Sequence, residues 1–198
     1  HYASTGFTVA ENQYQYRADL LQQLDGKTNF AQYFGAMKAG ENFKQPELAE
    51  TLKRIAAKGP DDFYKGKTAE LLVAEMQRGK GLITMEDLAS YRAGWRDALV
   101  TPWRDKQLIS ASPPSSGGIA LAQLLGLKQR RSSDFTDLTH NSSQYVHLMA
   151  ELEKRVYADR AEYLGDPGFV TVPQQQLLDS TYLDKRAKEI NPLAISET

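Results

Sequence analysis

The stretch that decides the fold is SASPPSSGGIALAQLLGL, residues 110–127. It follows two short runs of strand-forming residues, 98–101 and 107–111, which are separated by the turn sequence PWRDK. This pattern predicts a β-hairpin that turns through two prolines into an apolar helix. On this interpretation Ser115 or Ser116 caps the helix, and Gly117 and Gly118 allow a close approach of the backbone.

Around this hairpin the chain shows mainly helical signals. Pro46 suits the first turn of a helix that Gly59 would end, and Thr84 with Asp87 three residues later predicts a capping box. The longest helix is expected to run from Ser142 or Ser143 to about Tyr163. The fold class is therefore α/β, of the α+β type, mostly helical with one hairpin. Since an isolated hairpin is marginal in water, we expect the rest of its sheet to lie outside these residues.

Composition excludes several function classes. With 198 residues, 41% of them hydrophobic and 25% charged, the chain fits one domain or a single lobe spanning residues 1–198. A net charge of −1 does not indicate the excess of basic residues that is typical of nucleic-acid-binding proteins. No apolar run reaches the length of a membrane span. The absence of cysteine excludes disulfides, thiol catalysis and cysteine-based zinc sites. The missing initiator methionine suggests a processed or trimmed piece of a larger protein.

Three alternatives exist for the serine and glycine residues of the deciding stretch. Ser115 or Ser116 could be a nucleophile, but the histidines that could serve as its base are scattered, and no G-x-S-x-G motif is present. These histidines are His1, His140 and His147. The glycine pair could cradle an anion, but no lysine follows it as in a P-loop. The third alternative, a turn that caps a helix, is favoured.

A second charged segment, YADRAEYLGDP at residues 157–167, has two interpretations. Asp159 and Glu162 are one helical turn apart and, with Asp166, could begin a metal site. The favoured alternative is an arginine–carboxylate network around Arg160 that holds the helix end against the following loop. His147, on the same predicted helix, is expected to be a packed or hydrogen-bonded histidine.

Taken together, several strings resemble the gamma-glutamyltranspeptidase family. They are GPDDFYKGKTAELLVAEMQRGKGLITMEDLASYRA, the deciding stretch itself, and ADRAEYLGDPGFVTVP. They occur in the family's order and spacing, and the resemblance as a whole covers nearly the entire chain, from about residue 6 to residue 192. The chain departs from the family at Ser112, where a third proline is usual, and in the WRDK turn, and these differences allow a divergent member.

The resemblance implies a precursor that cuts itself into a large and a small subunit, which together form an N-terminal nucleophile (Ntn) hydrolase with an αββα sandwich. This chain would be the later part of the large subunit. The catalytic threonine would open the small subunit, and Thr198 is expected to fall short of the cleavage point. Catalytic, substrate-binding and metal residues on this chain are therefore predicted to be none. The implied substrate is a γ-glutamyl peptide such as glutathione, with no cofactor, and the implied location is periplasmic or secreted.

Three other functions remain open from the sequence. A related cephalosporin or glutaryl acylase would share the architecture and differ in substrate. A non-catalytic helical scaffold module would fold without any partner. A self-sufficient serine hydrolase would need a catalytic base beside Ser115 or Ser116.

Overall fold

The computed structural model describes residues 1–196, so Thr198 lies outside the described residues. The chain divides into two compact units, His1–Ala93 and Gly94–Thr198. The expectation of a single lobe over residues 1–198 stays a prediction. In the part of the chain that the structure describes, no helix combines the length and the apolar character needed to cross a membrane.

The first unit is helical, with one short antiparallel pairing. Its helices are α1 (Tyr2–Thr5), α2 (Glu11–Gln23), α3 (Phe30–Phe34), α4 (Pro46–Lys58), α5 (Asp61–Tyr64), α6 (Lys67–Arg78) and α7 (Met85–Ser90). Its strands are β1 (Phe7–Thr8) and β2 (Asn42–Phe43), which pair with Phe7 opposite Phe43. This pairing joins distant residues and was not predicted.

The helix boundaries in the first unit follow local signals. Pro46 begins α4, and Gly59 ends it with a φ of 74°, a left-handed value that glycine adopts without a steric penalty. Before α7, Thr84 Oγ1 accepts a hydrogen bond from Asp87 N at 3.1 Å, and Thr84 N donates to the Asp87 carboxylate at 2.8 Å. The predicted capping box is therefore confirmed.

The second unit combines the hairpin with the longest helices. Its elements are β3 (Leu99–Trp103), β4 (Lys106–Ser110), α8 (Gly117–Arg130), a 3-10 helix (Ser132–Phe135), α9 (Ser143–Tyr163), α10 (Gln174–Leu177) and α11 (Ser180–Lys188). The predicted hairpin and the predicted long helix are both confirmed, each within one or two residues of the expected bounds. The α+β class is confirmed as well.

One face of the hairpin packs on α8, and the other is open in this chain. Leu99 pairs with Ser110, and Leu99 lies in a buried cluster with Ile119 and Leu177. On the opposite face Val100 pairs with Ile109, and these side chains are 51% and 66% exposed. Because side chains alternate along a strand, the two faces of this sheet have different environments.

A second cluster holds α8, α9 and α11 together. Its buried members are Leu127, Leu152, Val156, Leu183, Ala187 and Ile190. At about 25 cal/mol per Å² of apolar surface, burying such side chains is the main favourable contribution to this packing. The cluster places α9 in the centre of the unit, so the polar side chains on its buried face need partners there.

Candidate functional site

Ser116 lies at the N-cap position of α8, but its hydroxyl does not cap the helix. Ser116 Oγ instead accepts a hydrogen bond from Arg160 Nε at 3.0 Å. Ser115 Oγ accepts a long hydrogen bond from Gly117 N at 3.4 Å. The prediction of a turn leading into a helix is confirmed, whereas a side-chain cap by Ser116 is wrong: its backbone is already helical, with φ −82° and ψ −16°, where a capping residue is usually extended.

Of the two glycines, only Gly118 makes the close approach that was predicted for both. A Cβ built on Gly118 would lie 2.6 Å from the Ala111 carbonyl oxygen, 3.0 Å from Leu99 Cδ2 and 3.1 Å from Ser110 Cβ. A Cβ on Gly117 would meet only Ser115 Oγ, at 3.7 Å. The glycine at 118 therefore lets α8 lie directly against the end of β4.

The turn is linked to the loop after α9 by a second arginine. Arg96 Nη1 donates to the Pro113 carbonyl oxygen and Arg96 Nη2 to the Asp166 carboxylate, both at 3.1 Å. The Gly168 N–H and the Arg96 guanidinium hold the pKa of Asp166 below its ordinary value. Arg96 and Pro113 also line a groove of about 660 Å³, whose other wall is formed by residues 167–172 and Gln174.

Asp159 lies in the centre of a buried polar network. Its carboxylate accepts hydrogen bonds from Gln123 Nε2 at 2.8 Å, Tyr182 Oη at 2.8 Å and Arg186 Nη2 at 2.6 Å. Burial raises the pKa of Tyr182, and the hydrogen bond to Asp159 raises it further. An arginine–carboxylate network thus exists, but it joins three helices instead of pinning the helix end to its loop.

The acidic residues suggested as a possible metal site do not come together. Asp159 is buried, Glu162 is exposed, and Asp166 accepts hydrogen bonds from Arg96 and Gly168. Among residues 1–196 no group of three potential ligands is found. Asp159 and Glu162 are one turn apart on α9, as expected, but one carboxylate is buried and the other faces solvent, so they do not converge on a common site.

The histidines are also not paired with the serines in the described part of the chain. His140 is exposed, with its ring 5.1 Å from the Tyr145 ring. His147 is half-buried on α9, and its Nε2 has no hydrogen-bond partner among the described residues. His1 lies at the N-terminal end of the first unit, before α1. The hydrogen bonds of Ser115 and Ser116 described above therefore offer neither hydroxyl a base.

Sequence reasoning missed most members of the buried network. Gln123 lies within an otherwise apolar run of α8, and Glu151 lies between Leu148 and Leu152 on the buried face of α9. A polar residue inside an apolar stripe was the available signal for both. The other two donors to Asp159, Tyr182 and Arg186, come from another helix, α11, which the local pattern does not indicate.

Comparison with known proteins identifies the family of this chain. The family model described as Gamma-glutamyltranspeptidase matches residues 1–198. The glutathione hydrolase proenzyme of Pseudomonas aeruginosa is 59% identical over 197 residues, which are 100% of this chain and 35% of that protein. The corresponding proenzyme of Escherichia coli is 44% identical over 155 residues, or 78% of this chain and 26% of that protein.

A solved structure is similar over the same extent. The gamma-glutamyltranspeptidase from Pseudomonas nitroreducens, complexed with L-DON, has a TM-score of 0.92 and 59% identity. The match covers 99% of this chain and 58% of that one. The chain thus spans about a third or less of the length of the two curated relatives. Because the family model matches every residue, this chain belongs to the gamma-glutamyltranspeptidase family.

Proposed function

We propose that this chain is the later part of the large subunit of a glutathione hydrolase, made as a precursor together with a small subunit. The observation that carries the proposal is the 59% identity, across the whole chain, to a protein named glutathione hydrolase proenzyme. The complete enzyme would cleave the γ-glutamyl amide of glutathione and transfer the glutamyl group to water or to an amino acid.

In this mechanism the nucleophile is a threonine at the start of the small subunit. Its hydroxyl attacks the γ-carbonyl carbon while its own α-amine takes the hydroxyl proton. The proton then passes to the leaving amine, cysteinylglycine departs, and a γ-glutamyl ester remains. Water or an acceptor amine attacks this ester and regenerates the threonine. We place the catalytic and substrate-contacting groups outside residues 1–198, and the protein is proposed to act in the periplasm or outside the cell.

The role proposed for this chain is structural support of that site. The hairpin β3–β4 would join a sheet of the αββα sandwich that the small subunit completes. The exposed pair Val100 and Ile109 supports this proposal, because two apolar side chains on one open sheet face gain free energy when a second layer covers them.

The activity is tested on the complete precursor. We expect the purified, self-cleaved protein to release p-nitroaniline from γ-glutamyl-p-nitroanilide, and to do so faster when glycylglycine is present as acceptor. Residues 1–198 expressed alone serve as the control and are expected to show no turnover.

Each alternative function gives a different result in the same assay. Faster turnover of glutaryl-p-nitroanilide than of the γ-glutamyl substrate would indicate an acylase. Turnover by residues 1–198 alone, with labelling of Ser115 or Ser116 by a fluorophosphonate, would indicate a serine hydrolase. A stable, inactive and monodisperse isolated chain, together with an inactive precursor, would indicate a scaffold module.

The partner interface is tested by placing a charge on the open sheet face. Ile109→Asp in the precursor is expected to lower the yield of soluble heterodimer by about tenfold or more, because an unpaired carboxylate would be buried between the layers. Thr136→Asp adds the same group at an exposed loop position of the same unit and is expected to leave the yield unchanged. Size-exclusion chromatography measures the yield, and equal yields for the two variants would refute this interface.

A further inference from the structure

Glu151 on α9 is a buried carboxylate whose partners include the far end of the described chain. The residue is only 1% exposed, and its neighbours on the same face are the core residues Leu148 and Leu152. Its carboxylate accepts hydrogen bonds from Lys154 Nζ at 2.9 Å and from the Ser196 hydroxyl, and Arg155 Nη1 lies 3.6 Å away. We call Glu151, Lys154, Arg155 and Ser196 the C-terminal clamp.

The clamp holds Ser196 through its backbone as well as its side chain. Lys154 Nζ donates to the Ser196 carbonyl oxygen at 2.9 Å, and Ser196 N donates to the Glu151 carboxylate at 3.4 Å. Arg155 Nη2 donates to Ser196 Oγ at 2.7 Å and to the Glu189 carbonyl oxygen at 3.0 Å. The position and the direction of the chain at Ser196 are therefore both fixed relative to α9.

Apolar burial does not fix this part of the chain. Leu193 and Ile195 are 86% and 81% exposed, so the residues just before Ser196 contribute little hydrophobic anchoring. Gln144 Nε2 donates to the Pro192 carbonyl oxygen at 2.6 Å, which is a further polar contact along the same path. The path of residues 192–196 thus depends on hydrogen bonds from α9.

A carboxylate is a costly group to place in this core. Removing its charge from water costs several kcal/mol unless hydrogen bonds and opposite charges compensate, and a leucine would pack here without that cost. Burial raises the pKa of Glu151, but the hydrogen bonds from Ser196 and Lys154 outweigh it and hold the pKa at about 2. The ionised clamp is therefore fully formed at neutral pH, where it gives Ser196 a defined location.

We propose that the C-terminal clamp positions the peptide that follows Ser196 for self-cleavage of the precursor, with Glu151 as a positioning residue. This inference rests on the proposed function. In the cleavage step the hydroxyl of the precursor threonine attacks the carbonyl carbon of the preceding peptide bond. The C–N bond breaks, the freed amine keeps the proton given up by the hydroxyl, and water then hydrolyses the resulting ester to a carboxyl group and the free threonine hydroxyl.

Such an attack depends on the approach of two groups within one chain. A fixed point at Ser196 limits the conformations that the following peptide has to explore before the hydroxyl reaches its carbonyl. Loss of the clamp is therefore expected to slow cleavage without affecting the chemistry of the finished active site.

The test compares full-length precursors. Glu151→Gln and Ser196→Ala are expected to slow conversion of precursor to two subunits by about threefold or more, because a longer segment is then free to move; gel electrophoresis follows the conversion. Ser196→Thr keeps the hydroxyl and is expected to restore most of the rate. Glu153→Gln removes an exposed carboxylate from the same helix and should cleave like the wild type. Once fully cleaved, every variant is expected to hydrolyse γ-glutamyl-p-nitroanilide with an unchanged kcat.

The outcomes separate this inference from the function on which it depends. A wild-type precursor that neither cleaves nor turns over substrate would refute the proposed function. A wild type that cleaves, with Ser196→Ala cleaving at the same rate, would refute the clamp alone. If Glu151→Gln does not fold, Ser196→Ala and Ser196→Thr decide the question, since both leave the buried carboxylate and its cationic partners in place.

Discussion

Replacing Asp159 with alanine is expected to lower the free energy of unfolding by about 3–5 kcal/mol, because a buried charged group loses its partner. Without the carboxylate, the buried Gln123 amide and the partly buried Tyr182 hydroxyl and Arg186 guanidinium each lose a hydrogen bond, although Arg186 keeps its ion pair with Glu189.

Urea denaturation of the full-length protein, followed by circular dichroism, measures the effect. Asp159→Asn keeps the shape and a hydrogen-bonding oxygen while removing the charge, so it is expected to fall between alanine and the wild type. Glu153→Ala on the exposed side of α9 is the control and should stay within about 0.5 kcal/mol of the wild type. A cost below about 1 kcal/mol for Asp159→Ala would show that the network does not hold the three helices together.

The second large effect is expected at Gly118. Gly118→Ala would place a methyl group 2.6 Å from the Ala111 carbonyl oxygen, so α8 or the end of β4 has to move. Overpacking against backbone atoms destabilises by about 1–3 kcal/mol, and the upper half of that range is expected here because a carbonyl oxygen cannot rotate aside as a side chain does.

Gly117→Ala is the matched control for this variant. It adds the same methyl group one residue earlier, where the nearest atom is Ser115 Oγ at 3.7 Å. Alanine is favoured over glycine in a helix by up to about 1 kcal/mol, so this variant is expected to be neutral or slightly stabilising. Thermal unfolding of both variants measures the difference, and two equal melting temperatures would contradict the close approach at residue 118.

Local signals predicted a large part of the fold. Pro46, Gly59 and the Thr84–Asp87 box mark helix boundaries because capping depends on residues within one turn of the helix end. The hairpin was predictable for a similar reason, since its two strands are adjacent in sequence and joined by a short turn. The pairing of β1 with β2 was not, because these strands are only two residues long and two helices, α2 and α3, lie between them in the sequence.

The polar contacts around the deciding stretch were predicted less well. The charges near Asp159 were correctly assigned to an arginine–carboxylate network, but its actual partners lie 23 to 36 residues away. Which buried donor meets which acceptor is set by the packing of α8, α9 and α11, and helical periodicity gives only the face on which each residue lies. The same reason explains why the role of Ser116 as an acceptor for Arg160 was missed.

The open face of the hairpin has a consequence for how such a protein is made. If Val100 and Ile109 need a covering layer from the second half, two separately synthesised polypeptides would first have to meet by diffusion at cellular concentration. If the two halves are joined in one translation product, as proposed, their effective local concentration is on the order of millimolar, and they dock before they aggregate with other molecules. Cleavage of the connecting peptide after assembly leaves the contacts between the two halves in place. We expect the two halves, when expressed from separate genes, to give mostly insoluble material.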